Sequence, residues 1–282
     1  GLLLFCCPLP RPPEAETMVR QLRPLLDGQR IERAALSHID ALRAVTRPRL
    51  LKALTGATIR EVTRRAKHAV LRFDDLRLVV QPGMTGALLV HDHPLSVEEA
   101  KYAVLRATLD DGRLLVYRDV RRLGTILLLD DRGWERYSKA IGPEPLDPAF
   151  TAKRMRAAFS GTRQAIKKAL MDKRRIAGVG NIYANEALFA ALIDTSRASN
   201  SLSADDFIRL HREVVRILRA AIASNGTTFR DYRTGTGERG NFQLELFVYG
   251  HEGDPCRVCG TRLAGTHEID ARITVFCFRC QQ

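Results

Sequence analysis

No apolar run in this sequence approaches the ~20 residues that a helix needs to cross a bilayer, which excludes a helical transmembrane protein. A secretory signal is missing too: the apolar opening Gly1-Leu-Leu-Leu-Phe-Cys-Cys-Pro-Leu-Pro10 is too short for a signal core and has no basic flank. There is no internal repeat and no low-complexity tract, so neither a solenoid nor a fibrous array is expected. Acidic residues are in short supply. Against 45 Lys+Arg there are 32 Asp+Glu, a net charge of +13, and the pI is about 9.9. That imbalance points to a polyanionic partner, most often nucleic acid. What remains is an ordinary globular composition, 45% hydrophobic and 27% charged. Its 282 residues are enough for two domains with real cores, so disulfide stapling is not required.

Cysteine is scarce and unevenly placed. Of six, four (Cys256, Cys259, Cys277 and Cys280) form two CxxC pairs near the end of the chain. Two such knuckles at this separation let four thiolates converge tetrahedrally on one Zn2+. Four Cys leave no coordination position for water, so the ion is expected to be structural. The competing reading, two disulfides, needs an oxidising compartment. The other two cysteines, Cys6 and Cys7, lie in residues 1–9, read as an extension outside the working domains.

From Arg30 to about Asp131 the sequence reads as short strands and turns. His68–Phe73 and Leu76–Val80 flank Asp74-Asp75, Leu105–Leu109 and Arg113–Tyr117 flank Asp110-Asp111-Gly112, and Thr125–Leu129 is a further strand. A helix over Glu14–Leu26 precedes them. This pattern predicts a β-sandwich with a flanking helix, spanning 10–137. The Pro-rich stretch within 138–148 is a linker. Helices are then expected over Phe150–Phe159, Thr162–Lys173 and Glu186–Leu192. A longer one starts at the cap Ser203-Ala-Asp-Asp206 and closes at Asn225-Gly226. The helical domain covers 149–244 and the zinc hairpin 245–282, giving a multi-domain α+β protein.

Ile166-Lys-Lys-Ala-Leu-Met-Asp-Lys-Arg-Arg-Ile-Ala-Gly-Val-Gly-Asn-Ile-Tyr-Ala-Asn-Glu-Ala-Leu-Phe189 carries two glycines that permit tight turns. Asn181 follows at a helix N-terminus, where free N–H groups favour an anion, and Lys167 adds charge nearby. This stretch resembles the helix–two-turns–helix motif of the formamidopyrimidine-DNA glycosylase (MutM) family. Pro13-Glu-Ala-Glu-Thr17, Arg64-Arg-Ala-Lys67, Gly83-Met-Thr-Gly86, Asp119-Val-Arg-Arg-Leu-Gly124, Phe242–Gly250, Pro255–Gly260 and Arg272–Cys277 extend the resemblance from Pro10 to Gln282. The related endonuclease VIII branch matches less well around Glu14–Pro24 and Phe242–Gly250.

The resemblance implies a base-excision repair enzyme, bacterial, cytoplasmic and nucleoid-associated. It would act as a monomer on damaged double-stranded DNA, flip an oxidised purine (8-oxoguanine or a formamidopyrimidine) out of the helix, remove it, and cut the strand by β,δ-elimination. The family's nucleophile is an N-terminal proline, whose amine attacks the sugar C1′ to form a Schiff base. Pro10 stands at that position, and would be the first residue if translation starts at Leu9 and that residue is removed. Glu14 matches a second acidic position of the site, and Lys67 a catalytic, phosphate-contacting lysine. Lys167, Asn181, Tyr183 and Arg272 are the remaining expected DNA contacts. Met84, Arg121 and Leu123 match the trio that fills the gap left by the flipped base, and Thr227–Gly240 matches the loop that covers that base.

Three positions depart from the pattern. Arg11 replaces the Glu that follows the nucleophile, and an arginine stays protonated and cannot do acid–base work near neutral pH. Leu123 replaces a Phe, and Gln81 a His. The alternative reading is therefore a DNA-binding member of the family with impaired glycosylase action, reduced to cleavage at abasic sites.

Overall fold

The computed structural model describes residues 13–83, 85–225 and 242–282. Pro10, Arg11, Met84 and the Thr227–Gly240 loop lie outside them. The chain divides into two compact units, one formed by Pro13–Ala140 with Ile222–Gln243, the other by Ile141–Ala221 with Leu244–Gln282.

The first unit opens with α1 (Pro13–Leu26), whose first turn carries Glu14 and Glu16, the end favoured by the helix dipole. The strands follow: β1 (Ile31–Leu36), then a helix α2 (Arg47–Leu54), β2 (Glu61–Arg65), β3 (His68–Arg72), β4 (Leu76–Gln81) and β5 (Gly86–His91). A short helix α3 (Val97–Lys101) precedes β6 (Ala103–Leu109), β7 (Leu114–Asp119), β8 (Thr125–Asp130) and helix α4 (Asp131–Lys139). They make two four-stranded antiparallel sheets, β1-β6-β7-β5 and β2-β3-β4-β8. One core joins both sheets to α1: Met18, Leu22 and Leu26 are buried with Leu71, Leu78, Leu105, Tyr117 and Ile126. This is the expected sandwich, and both expected hairpins are present. Gly112 takes φ 86 in the turn of the second, a conformation that costs glycine little. Helices α2, α3 and α4 were not anticipated. Each is nine residues or fewer and begins at a polar N-cap, Thr46, Ser96 or Asp130. Segments this short give the 3.6-residue periodicity too few turns to register.

The second unit contains α5 (Ala152–Ser160), α6 (Ile166–Leu170), α7 (Asn181–Ala190), α8 (Ala204–Ala223) as far as Ala221, and a hairpin of β9 (Ala264–Thr266) and β10 (Thr274–Phe276). Helix α8 starts as expected. Ser203 Oγ accepts from Asp206 N at 3.1 Å, and Asp206 Oδ2 accepts from Ser203 N at 2.9 Å. The helix expected over Thr162–Lys173 is reduced to five residues. Upstream, Ala165 bridges to Ala198 in extended pairing. Downstream, Asp172 accepts from Arg174 N at 3.0 Å and folds the chain into a turn. Helix α7 starts at Asn181, as the glycine-turn reading expects and five residues before the Glu186 start read from periodicity, because Gly180 already supplies an extended N-cap. No helix among the described residues is long and apolar enough to cross a membrane.

Candidate nucleic-acid interface and metal centre

The four cysteines of the hairpin come together as free thiols. Cys259 and Cys277 Sγ are 3.5 Å apart, Cys256 and Cys280 Sγ 4.0 Å, and all four lie within 4.8 Å of one another. With Zn–S bonds of about 2.3 Å a tetrahedron has edges of about 3.8 Å, so the cluster has the dimensions of a four-thiolate zinc site. Hydrogen bonds from Thr261 lower Cys259 to about 6, while burial pushes Cys277 and Cys280 up. Four sulfurs at this spacing could lose their protons together only with a cation to neutralise them. The cluster is packed on an apolar floor of Phe189 from α7, Val248, Leu263 and Val275.

Helix α7 also holds the hairpin by polar contacts. Asn185 Oδ1 accepts from Val275 N at 2.8 Å. The buried Glu186 carboxylate accepts three backbone N–H groups, from Phe247 (2.9 Å), Val248 (2.9 Å) and Tyr249 (2.8 Å). Bonds to a charged group contribute about 1.5–3 kcal/mol each, so this nest is a main anchor of the chain entering the hairpin. Neither residue was singled out by sequence, although both lie within the quoted Asn181–Phe189 stretch.

Lys167 departs from expectation. It has no exposed surface. Its ammonium donates to Thr274 Oγ1 (2.6 Å), Ile273 O (3.2 Å) and Arg272 O (3.4 Å), and lies 3.7 Å from Asp270 Oδ2. Burial lowers its pKa, with Asp270 opposing. In this arrangement Lys167 is a strut beneath the loop between β9 and β10, not a group offered to a phosphate. The exposed cations are its neighbours. Lys168, Arg174 and Arg272 line a cleft of about 400 Å³ with Gln164, Met171 and Asp270. Arg272 is more than half exposed, with Asp270 3.5 Å from its Nε. Asn181 is partly exposed at the start of α7 and donates to Ile273 O at 3.1 Å. No side chain caps the helix there, and the first turn of a helix favours an anion. Tyr183 is buried, 5% exposed.

In the sandwich, Lys67 is exposed at the turn between β2 and β3. The preceding Ala66 has φ 51, a conformation that costs a non-glycine residue on the order of 1–3 kcal/mol. Its carbonyl is held by the buried guanidinium of Arg64, which lies 3.7 Å from the equally buried Glu16 of α1. Glu16 also pairs with Arg20 at 2.6 Å. Glu14, a turn earlier than Met18 and half-buried, begins the same helix. The far side of the turn is fixed by His68, whose Nδ1–H donates to Arg65 O at 2.8 Å. The Gln81 amide and Tyr137 hydroxyl lie 3.1 and 3.0 Å from its Nε2. Gln81 thus lies against the histidine that closes the lysine turn.

Arg121 and Leu123 are both exposed, Leu123 by 54%. Buried Asp119 organises their loop. It accepts from Gly124 N (2.8 Å), Tyr117 Oη (3.1 Å) and Thr85 Oγ1, while Thr85 accepts from Arg121 N at 3.0 Å. Burial and the Asp119 carboxylate push Tyr117 upward, so it remains a donor. A Cβ on Gly124 would sit 1.8 Å from Tyr117 Oη, and one on Gly83 3.1 Å from Gly124 N. Two glycines thus let the backbone at Gly83 lie against the loop bearing Arg121 and Leu123.

Two family models match the chain, the formamidopyrimidine-DNA glycosylase N-terminal domain over residues 9–126 and the H2TH domain of the same enzymes over 141–233. The chain belongs to the formamidopyrimidine-DNA glycosylase family. Among the family's curated members, the enzyme of Thermomicrobium roseum is 41% identical over 288 residues, covering 97% of this chain and 99% of its own. That of Pseudomonas putida F1 is 39% identical over 274 residues, covering 97% of this chain and all of its own. Solved family structures agree. Lactococcus lactis Fpg in complex with DNA containing an abasic site aligns with TM-score 0.86 and 33% identity, covering 96% of this chain and 98% of that one. Thermus thermophilus MutM (Fpg) aligns with TM-score 0.83 and 33% identity, with the same coverage.

Proposed function

We propose that this chain binds damaged duplex DNA, excises oxidised purines and cleaves the strand at the resulting abasic site. The observation that carries this reading is the pair of pre-built exposed platforms, the Lys67 turn and the Arg121–Leu123 loop, each backed by a buried carboxylate within a chain of this family. Binding would begin with phosphates. Lys67, Lys168, Arg174, Arg272 and the open N-terminus of α7 supply positive potential without reading sequence, as a protein searching for lesions requires. Leu123 and Arg121 would enter the stack where a nucleotide leaves it. The zinc ion would be structural, fixing the loop that presents Arg272 from one side while Lys167 holds it from beneath.

The chemistry requires a free amine. With Pro10 as first residue its nitrogen would attack C1′ of the flipped nucleotide. The C1′–N bond to the base breaks, and the base leaves with a proton. The proline nitrogen loses its proton and the C1′–O4′ bond breaks, O4′ taking up a proton, which leaves an iminium at C1′; this acidifies C2′, and successive eliminations release the 3′- and 5′-phosphates. Arg11 cannot deliver the proton, so Glu14 is assigned the nearest acidic role. This substitution favours a second reading, in which abasic-site cleavage survives and base removal is slow.

Borohydride reduction with the mature protein decides between them. Covalent trapping at Pro10 on both 8-oxoguanine and abasic duplexes supports the full activity. Trapping on abasic DNA alone supports the lyase-only reading. No adduct on either, with DNA still bound, rules out the proline nucleophile.

A further inference from the structure

Among the described residues, a second group of potential metal ligands converges besides the cysteines: His91, His93 and Glu99. We propose that these three side chains form a binding site for a divalent late transition-metal ion of the Zn2+ or Cu2+ class. Their ligand atoms lie within 4.8 Å of one another, and His91 Nδ1 is 3.7 Å from Glu99 Oε1. Bonds of 2.0–2.2 Å from imidazole nitrogen and carboxylate oxygen place ligand atoms ~3.3–3.5 Å apart in a tetrahedron. Closure on an ion therefore asks the side chains to move by about an ångström, within the reach of the exposed His93 ring.

The surrounding contacts orient each donor. The ring of His93 faces that of His91 edge-on, with centroids 5.4 Å apart. Its Nδ1–H donates to Pro94 O at 3.0 Å, which puts the lone pair on Nε2. Such a carbonyl partner fixes the tautomer of metal-binding histidines generally. Glu99 divides its oxygens. Oε2 accepts from Ser96 N at 2.8 Å in the capping box of α3, and Oε1 is turned toward His91. Asp92 also lies beside both histidines and adds negative potential.

Two imidazoles and one carboxylate favour Cu2+ and Zn2+ over Mg2+ and Ca2+ by donor type. Three protein ligands leave at least one position for water or an external ligand. His91 ends β5, whose other end, Gly86, adjoins the DNA-facing turn; six residues place the two ~17 Å apart. The ion would tie the end of β5 to α3 and so stabilise this edge of the sandwich without touching the proposed DNA-binding loops.

The test uses full-length protein already carrying one Zn2+ on its four cysteines. ZnCl2 is titrated by calorimetry, with native mass spectrometry to count ions. The wild type should take a second ion with a dissociation constant on the order of 1 μM and show a rise in Tm. His93→Gln, an exposed and conservative change, should weaken that ion by ~10-fold or more. His91→Ala with His93→Ala should abolish it while the first ion stays. Cu2+ in place of the second Zn2+ should show nitrogen hyperfine coupling in its EPR spectrum, lost with the same substitutions. A single ion at about 100 μM free Zn2+, or a second ion indifferent to the histidine substitutions, overturns the proposal.

Discussion

The sandwich and helical units both back exposed cations with buried polar groups, but only the sandwich presents the cation that its motif names. Lys67 stands at the tip of a two-residue turn, where the side chain has nowhere to go but outward. Lys167 stands on a helix, where each residue is rotated by about 100° from the next. There the stretch that resembles a phosphate-binding motif exposes the second of its two lysines rather than the first. Lys167 is sealed beneath the hairpin and Lys168 is exposed. A motif locates a segment; helical phase and packing decide which of its side chains meets the ligand.

The largest expected effect separates the units outright. Cys277→Ser removes one of four thiolates and the buried neighbour of Phe189 and Val275. Zinc content should fall from one ion per chain to none at the cysteine cluster, and DNA affinity should drop by ~100-fold or more as Arg272 loses its fixed loop. Metal analysis and a gel-shift titration measure both. The sandwich should remain folded by hydrogen exchange. Loss of protection across β1–β8 would show that the units do not fold separately.

Lys167→Met and Lys67→Met test the contrast directly. Lys167→Met takes the lysine donor from Arg272 O and Thr274 Oγ1, while Ile273 O keeps Asn181, and should cost about 2–4 kcal/mol in stability. Lys67→Met should change stability by no more than about 0.5 kcal/mol, yet lower the salt dependence of DNA binding by about one phosphate contact and slow strand cleavage. Lys168→Met should resemble Lys67→Met in salt dependence. Denaturant unfolding and binding at several salt concentrations provide the readouts. If Lys167 changes the salt slope at unaltered stability, it is a phosphate contact after all.

The sandwich, its hairpins, the long helix with its Asp-containing cap and the cluster of four cysteines were all legible in the sequence. Each is written in spacing: alternation of two, periodicity near 3.6, or a CxxC repeat. The anchors that aim the site were not. Glu16, Asp119 and Glu186 look like ordinary surface carboxylates, and only the tertiary fold turns them toward Arg64, Thr85 and the backbone at Phe247. Gln81 likewise reads as a departure from the family until His68 is found against it. Short helices were missed because one or two turns show no period.

The acid side distinguishes the units more gently. In α8, burial of Asp206 and Glu213 works to raise their pKa values. Hydrogen bonds from Ser203 and Arg197 to Asp206, and from Arg216 and Arg212 to Glu213, outweigh it and hold both below the ordinary range. A carboxyl with a depressed folded pKa contributes stability above its unfolded pKa, here about 4, and loses that contribution as pH falls through the folded value. The helical unit should therefore lose stability as pH falls below about 4. Asp206→Asn with Glu213→Gln should flatten that dependence, followed by circular dichroism melts from pH 6 to 3.

The smallest effect concerns Leu123. Its side chain is exposed on a loop already fixed by Asp119 and Gly124, so a larger apolar group meets no packed neighbour and stability should hold. A phenyl ring offers a face to a base pair opened by flipping, where stacking contributes about 1 kcal/mol beyond contact area. Leu123→Phe should therefore tighten binding to abasic DNA by ~3–5-fold and leave affinity for intact duplex unchanged, because only the opened stack has a gap to fill. Equal tightening on both duplexes would mean that the ring adds general apolar contact, and that Leu123 is not the wedge.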